Sequence, residues 1–246
     1  MTEPKPTYHT INTQPGDVVQ INVAGRPYLL ELCIPELSDD EPVTLHPIEP
    51  LAQRDPRWAN ILLGHSDTHT IGQWGCALTC ASMVLRQYDP ALTPDELQRR
   101  IINNGGFWNA FINWQAIANV FPWANYDGMT NWEQIPADID AIVQFLDECG
   151  PAILWVDFHP ETGRHESHFV LAINDDTRDG IQVADPWLGR IVDLTEAYGL
   201  DGMWSDARAV YGLRRLWVDT KPPNTATYSL PAEPDWDTVT PSEPPA

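Results

Sequence analysis

The order of the sequence patterns predicts an α+β domain over residues 49–220, with helices packed on a later antiparallel sheet. Helical spacing of apolar residues fills the first part of this segment, and short β-branched runs fill the second part. Helices that are segregated from a later group of strands are typical of the α+β class. A separate alternating run precedes the segment, so the predicted fold carries a small N-terminal β-hairpin extension.

Residues 1–48 are predicted to hold that hairpin and an acidic linker. Polar and apolar residues alternate over Val18–Val23, a turn follows at 25–27, and a second apolar run covers 28–34. The stretch 35–42 is acidic and contains prolines, which suits an exposed connection. We therefore place the boundary of the main domain after residue 48.

Four helices are predicted between residues 76 and 148. The first covers 76–86, where apolar residues recur on one face and Gly75 allows a tight entry. The second opens at 93–96 with a capping box and a proline at the first helical position, and it stops at two glycines. A short helix over Trp114–Val120 and a longer one over 137–148 complete the set.

Strands are predicted at 152–156, 168–173, 181–185 and 210–218. Between the second and third lies a polar loop, 174–180. If Ile173 faces Ile181 across this loop, His168 lies opposite residue 186 and next to Asp185. Cross-strand neighbours are about 5 Å apart, so we expect this histidine and this aspartate to meet at one end of a hairpin.

Composition and charge exclude several kinds of partner. The 246 residues contain 35 acidic and 14 basic side chains, a net charge of −21. This charge repels phosphate backbones, so neither nucleic acid nor an anionic membrane surface is an expected partner. Around a cleft, it would favour neutral or cationic substrates.

The chain is expected to be a cytoplasmic protein. No apolar run approaches the roughly 18 residues that a membrane span requires, and the N-terminus has no signal-peptide pattern. Four cysteines without framework spacing suit reduced thiols. A phage particle or export by another route stays open, and the proline-rich residues 221–246 are expected to be disordered.

The His168–Asp185 pair would be the orienting half of a catalytic triad, in which a carboxylate fixes the imidazole. Cys76 is the candidate nucleophile because a helix start stabilises a thiolate. The alternatives are a small buried cysteine and a structural His–Asp pair.

The same residue types also allow two other interpretations. A zinc site could be built from two cysteines one helical turn apart and two histidines: Cys76, Cys80, His165 and His168. Eleven tryptophans could also bind sugars or peptides by stacking, and those that merit inspection in a cleft are Trp108, Trp114, Trp123, Trp132 and Trp187. Of these, Trp187 follows Asp185 closely enough to border the site.

Segments in both halves of the main domain match a known pattern. In the first half they are 53–59, 63–66, 70–72, 75–79, 93–97, 104–107 and 113–114, and in the second half they are 151–157, 167–171 and 184–189. Together these segments resemble the papain-like cysteine peptidases that process bacteriocin leaders, the double-glycine peptidase type, and especially their divergent bacterial and phage peptidase-like branch. The likeness covers about residues 49–217 and keeps the order Gln, Cys, His, Asp.

This resemblance implies a papain-like fold and a cysteine peptidase that needs no cofactor and no metal. It implies Cys76 as nucleophile, His168 as general base and then acid, and Asp185 as the orienting carboxylate. Gln53 would donate to the oxyanion beside the Cys76 backbone N–H. Gln73, three residues before Cys76, is the alternative donor, but Gln53 lies inside the matching Gln-x-Asp-x-x-Trp segment.

The leading hypothesis from the sequence is therefore a thiol hydrolase that cleaves peptide or related amide bonds in a peptide or protein substrate through an acyl-enzyme. Two rivals stay open. One is a catalytically silent binding or structural module of a phage or surface protein. The other is a peptidoglycan endopeptidase or amidase that uses the same triad.

Overall fold

The computed structural model describes residues 18–23, 26–31, 44–132, 136–159, 166–176, 180–199 and 209–219. The chain divides into two compact units, one holding the N-terminal hairpin and the other holding every further described element. In the hairpin, β1 (Val18–Val23) pairs antiparallel with β2 (Arg26–Glu31), which confirms the predicted pairing. The acidic stretch 35–42 and the tail 221–246 lie outside the described residues.

Six α-helices occur in the described part of the second unit. They are α1 (Ile71–Trp74), α2 (Cys76–Leu85), α3 (Pro94–Ile101), α4 (Trp114–Val120), α5 (Ile139–Cys149) and α6 (Leu194–Tyr198). The four predicted helices are α2 to α5, and they begin and end within two residues of expectation except at the C-terminus of α3. There a 3₁₀ turn (Ile102–Asn104) continues the chain to Gly105. Neither α1 nor α6 is predicted by the local sequence pattern, because one turn is too short to show a helical period.

A six-stranded antiparallel sheet forms the second layer. Its strands are β5 (Ala124–Asn131), β6 (Ala152–Asp157), β7 (Ser167–Asp176), β8 (Gly180–Asp185), β9 (Arg190–Asp193) and β10 (Val210–Val218), in the order β5-β10-β6-β7-β8-β9. A short hairpin, β3 (Phe107–Trp108) with β4 (Phe111–Ile112), stands apart from it. The α+β class and the papain-like arrangement of helices on an antiparallel sheet are confirmed.

The sheet is buried on both faces, and this explains the continuous apolar run in β6. Leu171 belongs to the apolar cluster that contains α2, whereas the next residue back, Val170, belongs to the cluster that contains α5. Successive residues of a strand point to opposite faces, so α2 and α5 cover the two sides. Because α2 packs on β7, the first residue of that helix comes close to the strand that carries His168.

The predicted register between β7 and β8 is wrong. Ile181 pairs with Asp175 rather than with Ile173, and the register shifts between Ala172 and Asn174. β7 also continues to Asp176, through much of the expected loop. A bulge places one extra residue on one strand, and apolar alternation alone does not reveal where such an insertion falls.

Candidate active site

The start of α2 presents a cysteine beside a glycine that the packing requires. Gly75 separates α1 from α2, and its carbonyl accepts the first helical hydrogen bond from Thr79 N at 2.8 Å. A Cβ at Gly75 would collide with the Ile71 carbonyl oxygen and lie 2.8 Å from Ile71 Cγ2. The chain therefore turns tightly into α2, and the thiol of Cys76, which is half-buried, stands at the helix N-terminus.

His168 lies between this thiol and a carboxylate. It sits near the start of β7, opposite Val156, and is 3% exposed. Its Nε2 is 3.2 Å from Asp185 Oδ1, and its side chain also hydrogen-bonds the Cys76 thiol. Since Nε2 faces the carboxylate, Nδ1 is the nitrogen that faces the sulfur.

The bulge in β7 is what lets His168 and Asp185 meet. With Leu171 opposite Ala184, continuation of the ladder by one residue places Asp185 opposite Val170. Residues directly opposite share a face, and so do residues two apart on one strand. His168 and Asp185 are therefore diagonal neighbours on the same face, whereas the register expected from the sequence would have put them on opposite faces.

Asp185 is buried, 1% exposed, and its two oxygens carry several hydrogen bonds. Oδ1 accepts the Trp187 backbone N–H at 2.7 Å in addition to the His168 contact. Oδ2 accepts the Tyr198 hydroxyl at 2.7 Å. Tyr198 comes from α6 and is itself buried. The sequence analysis missed it, since the only local signal is Asp193, whose side chain caps α6 by accepting from Glu196 N.

The electrostatics favour a thiolate beside an imidazolium. Burial acts to raise the pKa of Cys76, but the hydrogen bond and charge of His168, with the N–H groups of Phe169 and Ala77, outweigh burial and lower this pKa. Burial likewise opposes charging of His168, yet its bonds to Asp185 and Cys76 raise its pKa to about 9.

The carboxyl group of Asp185 stays ionised despite its burial. Burial alone would raise the pKa of Asp185, but the hydrogen bonds from His168 and Tyr198, together with the His168 charge, lower it. Hydrogen bonds to the charged form of a carboxyl favour that form. The site can therefore hold a row of three charges in which the imidazolium lies between two anions.

Cys80, one turn further along α2, has the opposite character. Its Sγ donates to the Phe169 carbonyl at 3.4 Å, and the thiol is fully buried. Burial first, then the charges of Cys76 and Asp185, raise the pKa of Cys80 well above its usual value. Within the described residues no group of three or more His, Cys, Asp or Glu side chains is arranged so that it could hold a metal ion, and His165, one of the four candidate zinc ligands, lies outside them.

The two candidate glutamines occupy different environments. Gln53 is 1% exposed; its backbone N–H donates to the Pro186 carbonyl at 2.8 Å, and its Nε2 donates to the Gly72 carbonyl at 3.2 Å. Gln73 is exposed in α1, where its Oε1 accepts from Thr70 N at 3.3 Å. Gln53 therefore contacts α1, the helical turn before α2, from the buried side. Gln73 caps the same turn from the solvent-exposed side.

Aromatic rings form one side of the site. The Phe158 ring lies 4.7 Å from the His168 ring and 5.1 Å from the Trp187 ring, centroid to centroid. The Arg54 guanidinium lies 4.6 Å over Trp187. A cavity of about 400 Å³ adjoins these rings, and its lining includes Phe158, Asp185, Trp187, Arg190, Glu196 and Tyr198.

The other four tryptophans considered for a cleft have different surroundings. Trp114 and Trp132 are buried in the apolar clusters, and Trp123 stacks on Tyr88 at 4.3 Å. Trp108 is exposed on the β3–β4 hairpin. Of the five, Trp187 is the one that the structure joins to His168 through a shared aromatic neighbour.

Comparison with known proteins gives one family match. A family model described as "Peptidase_C39 like family" matches residues 48–207, a range that includes Gln53, Cys76, His168 and Asp185. No curated protein matches the chain. Among the described residues, no helix has both the length and the apolar character needed to cross a membrane.

Proposed function

The chain belongs to the Peptidase_C39-like family, and from this premise we propose that it is a cysteine-dependent hydrolase of peptide or related amide bonds. The observation that carries the proposal is the position of His168, a buried imidazole bonded to the Cys76 thiol on one side and to the Asp185 carboxylate on the other. A nucleophile, a base and a third group that orients the base constitute the general arrangement of nucleophilic catalysis.

In the acylation step, the Cys76 thiolate attacks the carbonyl carbon of the substrate amide. The C–S bond forms as the carbonyl oxygen becomes an oxyanion, and the imidazolium of His168 then gives its proton to the leaving nitrogen as the C–N bond breaks. Asp185 holds the imidazole in position and stabilises its charged form. The product at this stage is a thioester on Cys76 and a free amine.

Gln53 and the Cys76 backbone N–H are the proposed donors to the oxyanion. Gln53 is buried beside the turn before α2 and uses Nε2 to bind the Gly72 carbonyl. An amide nitrogen has two N–H groups, so one is left for the oxyanion. Prepositioned donors of this kind contribute about 3 to 4 kcal/mol to acyl-transfer reactions.

Deacylation reverses the roles of the same groups. His168, neutral after it has protonated the amine, takes a proton from water, and the hydroxide attacks the thioester carbonyl. The C–S bond breaks, and Cys76 leaves as the thiolate that the imidazolium again stabilises. The proposed reaction thus hydrolyses the substrate with water, the side chains of Cys76, His168, Asp185 and Gln53, and the Cys76 backbone N–H.

Within the family we assign the chain to the divergent bacterial and phage branch, on the resemblance of the segments around Gln53 and Cys76. We propose a peptide or protein as the substrate and no nucleic acid as a partner, since the net charge is −21. The described cysteines are free thiols, which supports a reducing compartment such as the cytoplasm.

The test is hydrolysis of a peptide mixture by the wild type and by Cys76→Ala, with Cys80→Ala as the matched control one turn along the same helix. We expect Cys76→Ala to lose turnover completely and Cys80→Ala to keep it. Undiminished hydrolysis by Cys76→Ala would refute the proposal. A wild-type thiol no more reactive than free cysteine would favour a silent binding module, and clearing of a cell-wall suspension would identify peptidoglycan as the substrate.

A further inference from the structure

Five arginines of this acidic chain form ion pairs with carboxylates among the described residues. Ion pairs with aspartate or glutamate involve Arg57, Arg86, Arg99, Arg100 and Arg215. Arg54 and Arg190 have no ionic partner among the residues that the structure describes. Both lie next to Trp187, because Arg54 stacks on its ring and Arg190 lines the cavity that the ring borders.

The Arg54 guanidinium lies over the Trp187 ring, and among the described residues its N–H groups form no hydrogen bond or ion pair. The guanidinium carbon lies 4.6 Å from the ring centroid, and the side chain is exposed. A planar guanidinium can stack on an aromatic face and bind a carboxylate with two parallel N–H groups at the same time. Arg57 provides a contrast, since it also stacks on a tryptophan, Trp58 at 4.5 Å, but already binds Asp55.

Trp187 lies on the His168 side of the site, since both rings neighbour Phe158, and we infer that this is the side of the leaving group. The acyl half of the substrate is attached to Cys76, and the amine half departs past His168, which protonates it. The Phe158 ring contacts both the His168 ring and the Trp187 ring. The hydrogen bond from the Gln53 backbone N–H to the Pro186 carbonyl holds the neighbouring residue, Arg54, next to Trp187.

We propose that Arg54 is a specificity-determining residue that binds a carboxylate on the leaving-group side of the scissile bond. This inference rests on the proposed hydrolase function. The carboxylate belongs to an acidic side chain or to the substrate's C-terminus. The carboxylate binds to Arg54 beside Trp187 rather than inside the adjoining cavity, because Glu196 contributes negative charge to that cavity. Arg54 is thus a local exception to the preference for neutral or cationic substrates that the net charge suggests.

Partition of an acyl-enzyme tests this proposal without knowledge of the natural substrate. The wild type is acetylated at Cys76 with p-nitrophenyl acetate, and added dipeptide amines compete with water for the thioester. In aminolysis the amine attacks the carbonyl, the C–N bond forms, the C–S bond breaks, and His168 accepts the amine proton. By microscopic reversibility the attacking amine occupies the place of the leaving amine.

Two pairs of amines separate the sources of the carboxylate. Glycyl-glutamic acid α-amide is compared with glycyl-glutamine amide for the side chain, and glycylglycine with glycylglycinamide for the C-terminus. We expect the carboxylate member of at least one pair to yield about threefold to fivefold more acetyl-peptide, the range of a single exposed ion pair. Arg54→Gln should bring that ratio to about one, whereas Arg57→Gln should leave it unchanged.

The results for acylation of Cys76 and for carboxylate recognition by Arg54 can be told apart. Failure of Cys76 to acylate would refute the hydrolase function itself. Normal acylation with equal yields in both pairs would refute carboxylate recognition and leave the hydrolase intact. A preference that survives in Arg54→Gln but disappears in Arg190→Gln would overturn the assignment to Arg54.

Discussion

Tyr198 donates to a carboxylate that is almost completely buried. Its hydroxyl is 2.7 Å from Asp185 Oδ2, on the side of the carboxyl group away from His168. Burial of an ion is costly unless every oxygen finds a donor. Tyr198 therefore helps Asp185 to remain charged where it can hold the imidazolium.

Tyr198→Phe is expected to reduce the free energy of unfolding at neutral pH by about 1.5 to 3 kcal/mol, the usual value of a hydrogen bond to a charged group. This bond lowers the pKa of Asp185, so its contribution is present above the unfolded pKa of about 3.9 and is lost as the pH falls. Urea unfolding at neutral and at acidic pH measures the difference between wild type and variant.

Tyr126→Phe is the matched control, because Tyr126 is only half-buried and lies on β5, away from the carboxylate. The two variants should differ clearly at neutral pH and converge at acidic pH. A Tyr198→Phe loss that does not change with pH would argue for lost packing rather than for a bond to a charged group.

For single residues, the sequence predicts which side chains could react better than it predicts the contacts that hold them in place. Cys76, His168 and Asp185 could be proposed because a helix start and two strand ends are visible as local patterns. Tyr198 and Arg54 could not be. Their contacts with Asp185 and Trp187 depend on how the loop before α1 and the short α6 fold back on the sheet, and no local spacing encodes that.

At the scale of elements, the tight entry into α2 sets the position of the thiol. Gly75 is in contact with the backbone and side chain of Ile71, a residue of α1 that is completely buried. Since neither the carbonyl nor the buried side chain can withdraw, a larger residue at position 75 must displace the start of α2.

Gly75→Ala is therefore expected to slow alkylation of Cys76 by iodoacetamide at neutral pH by about tenfold. A displaced thiol loses its His168 contact, and an ordinary thiol is only a few per cent ionised near pH 7. Peptide mapping by mass spectrometry after timed alkylation gives the rate at this one cysteine.

Gly105→Ala separates this effect from loss of stability. Gly105 has φ 70°, so a side chain there is strained, but a Cβ would meet nothing within 4 Å. We expect Gly105→Ala to lower stability by about 1 kcal/mol with no change in alkylation of Cys76. Equal rates for Gly75→Ala and the wild type would show that the tight entry does not position the sulfur.

The elements that the sequence analysis missed share weak local signals. β5 reads Ala-Asn-Tyr-Asp-Gly-Met-Thr-Asn and contains residue types that are depleted in strands, yet it pairs with β10 over most of its length. β9 has only four residues. Both strands form because they pair with strands that are distant in sequence or with a neighbouring strand of the sheet. The bulge in β7 likewise depends on its pairing with β8.

At the scale of the whole molecule, both apolar clusters lie within one unit. Among the residues whose burial the structure describes, the buried members fall between Leu51 and Val218, and the partly buried residues that pack on them begin at Leu45. These residues all belong to the unit of residues 40–223, which also carries Cys76, His168 and Asp185.

A fragment of residues 40–223 is expected to unfold cooperatively in urea and to react with iodoacetamide at Cys76 at the full-length rate. Its free energy of unfolding should match that of the full chain to within about 0.5 kcal/mol, as for changes outside a core. A fragment that aggregates or loses the cooperative transition would show that the remaining residues support this core.

The proposed chemistry depends on an ion pair between Cys76 and His168, which can be measured by titration of the thiolate. Ultraviolet thiolate absorbance is followed with pH, and the signal of Cys76→Ser is subtracted from that of the wild type. The lowered pKa of Cys76 and the His168 pKa of about 9 predict that the Cys76 thiol ionises below the pKa of about 8.5 of free cysteine. Replacement of His168 by Asn should move the transition upward. A wild-type thiol that ionises at or above the free-cysteine value would show that Cys76 and His168 do not form this ion pair.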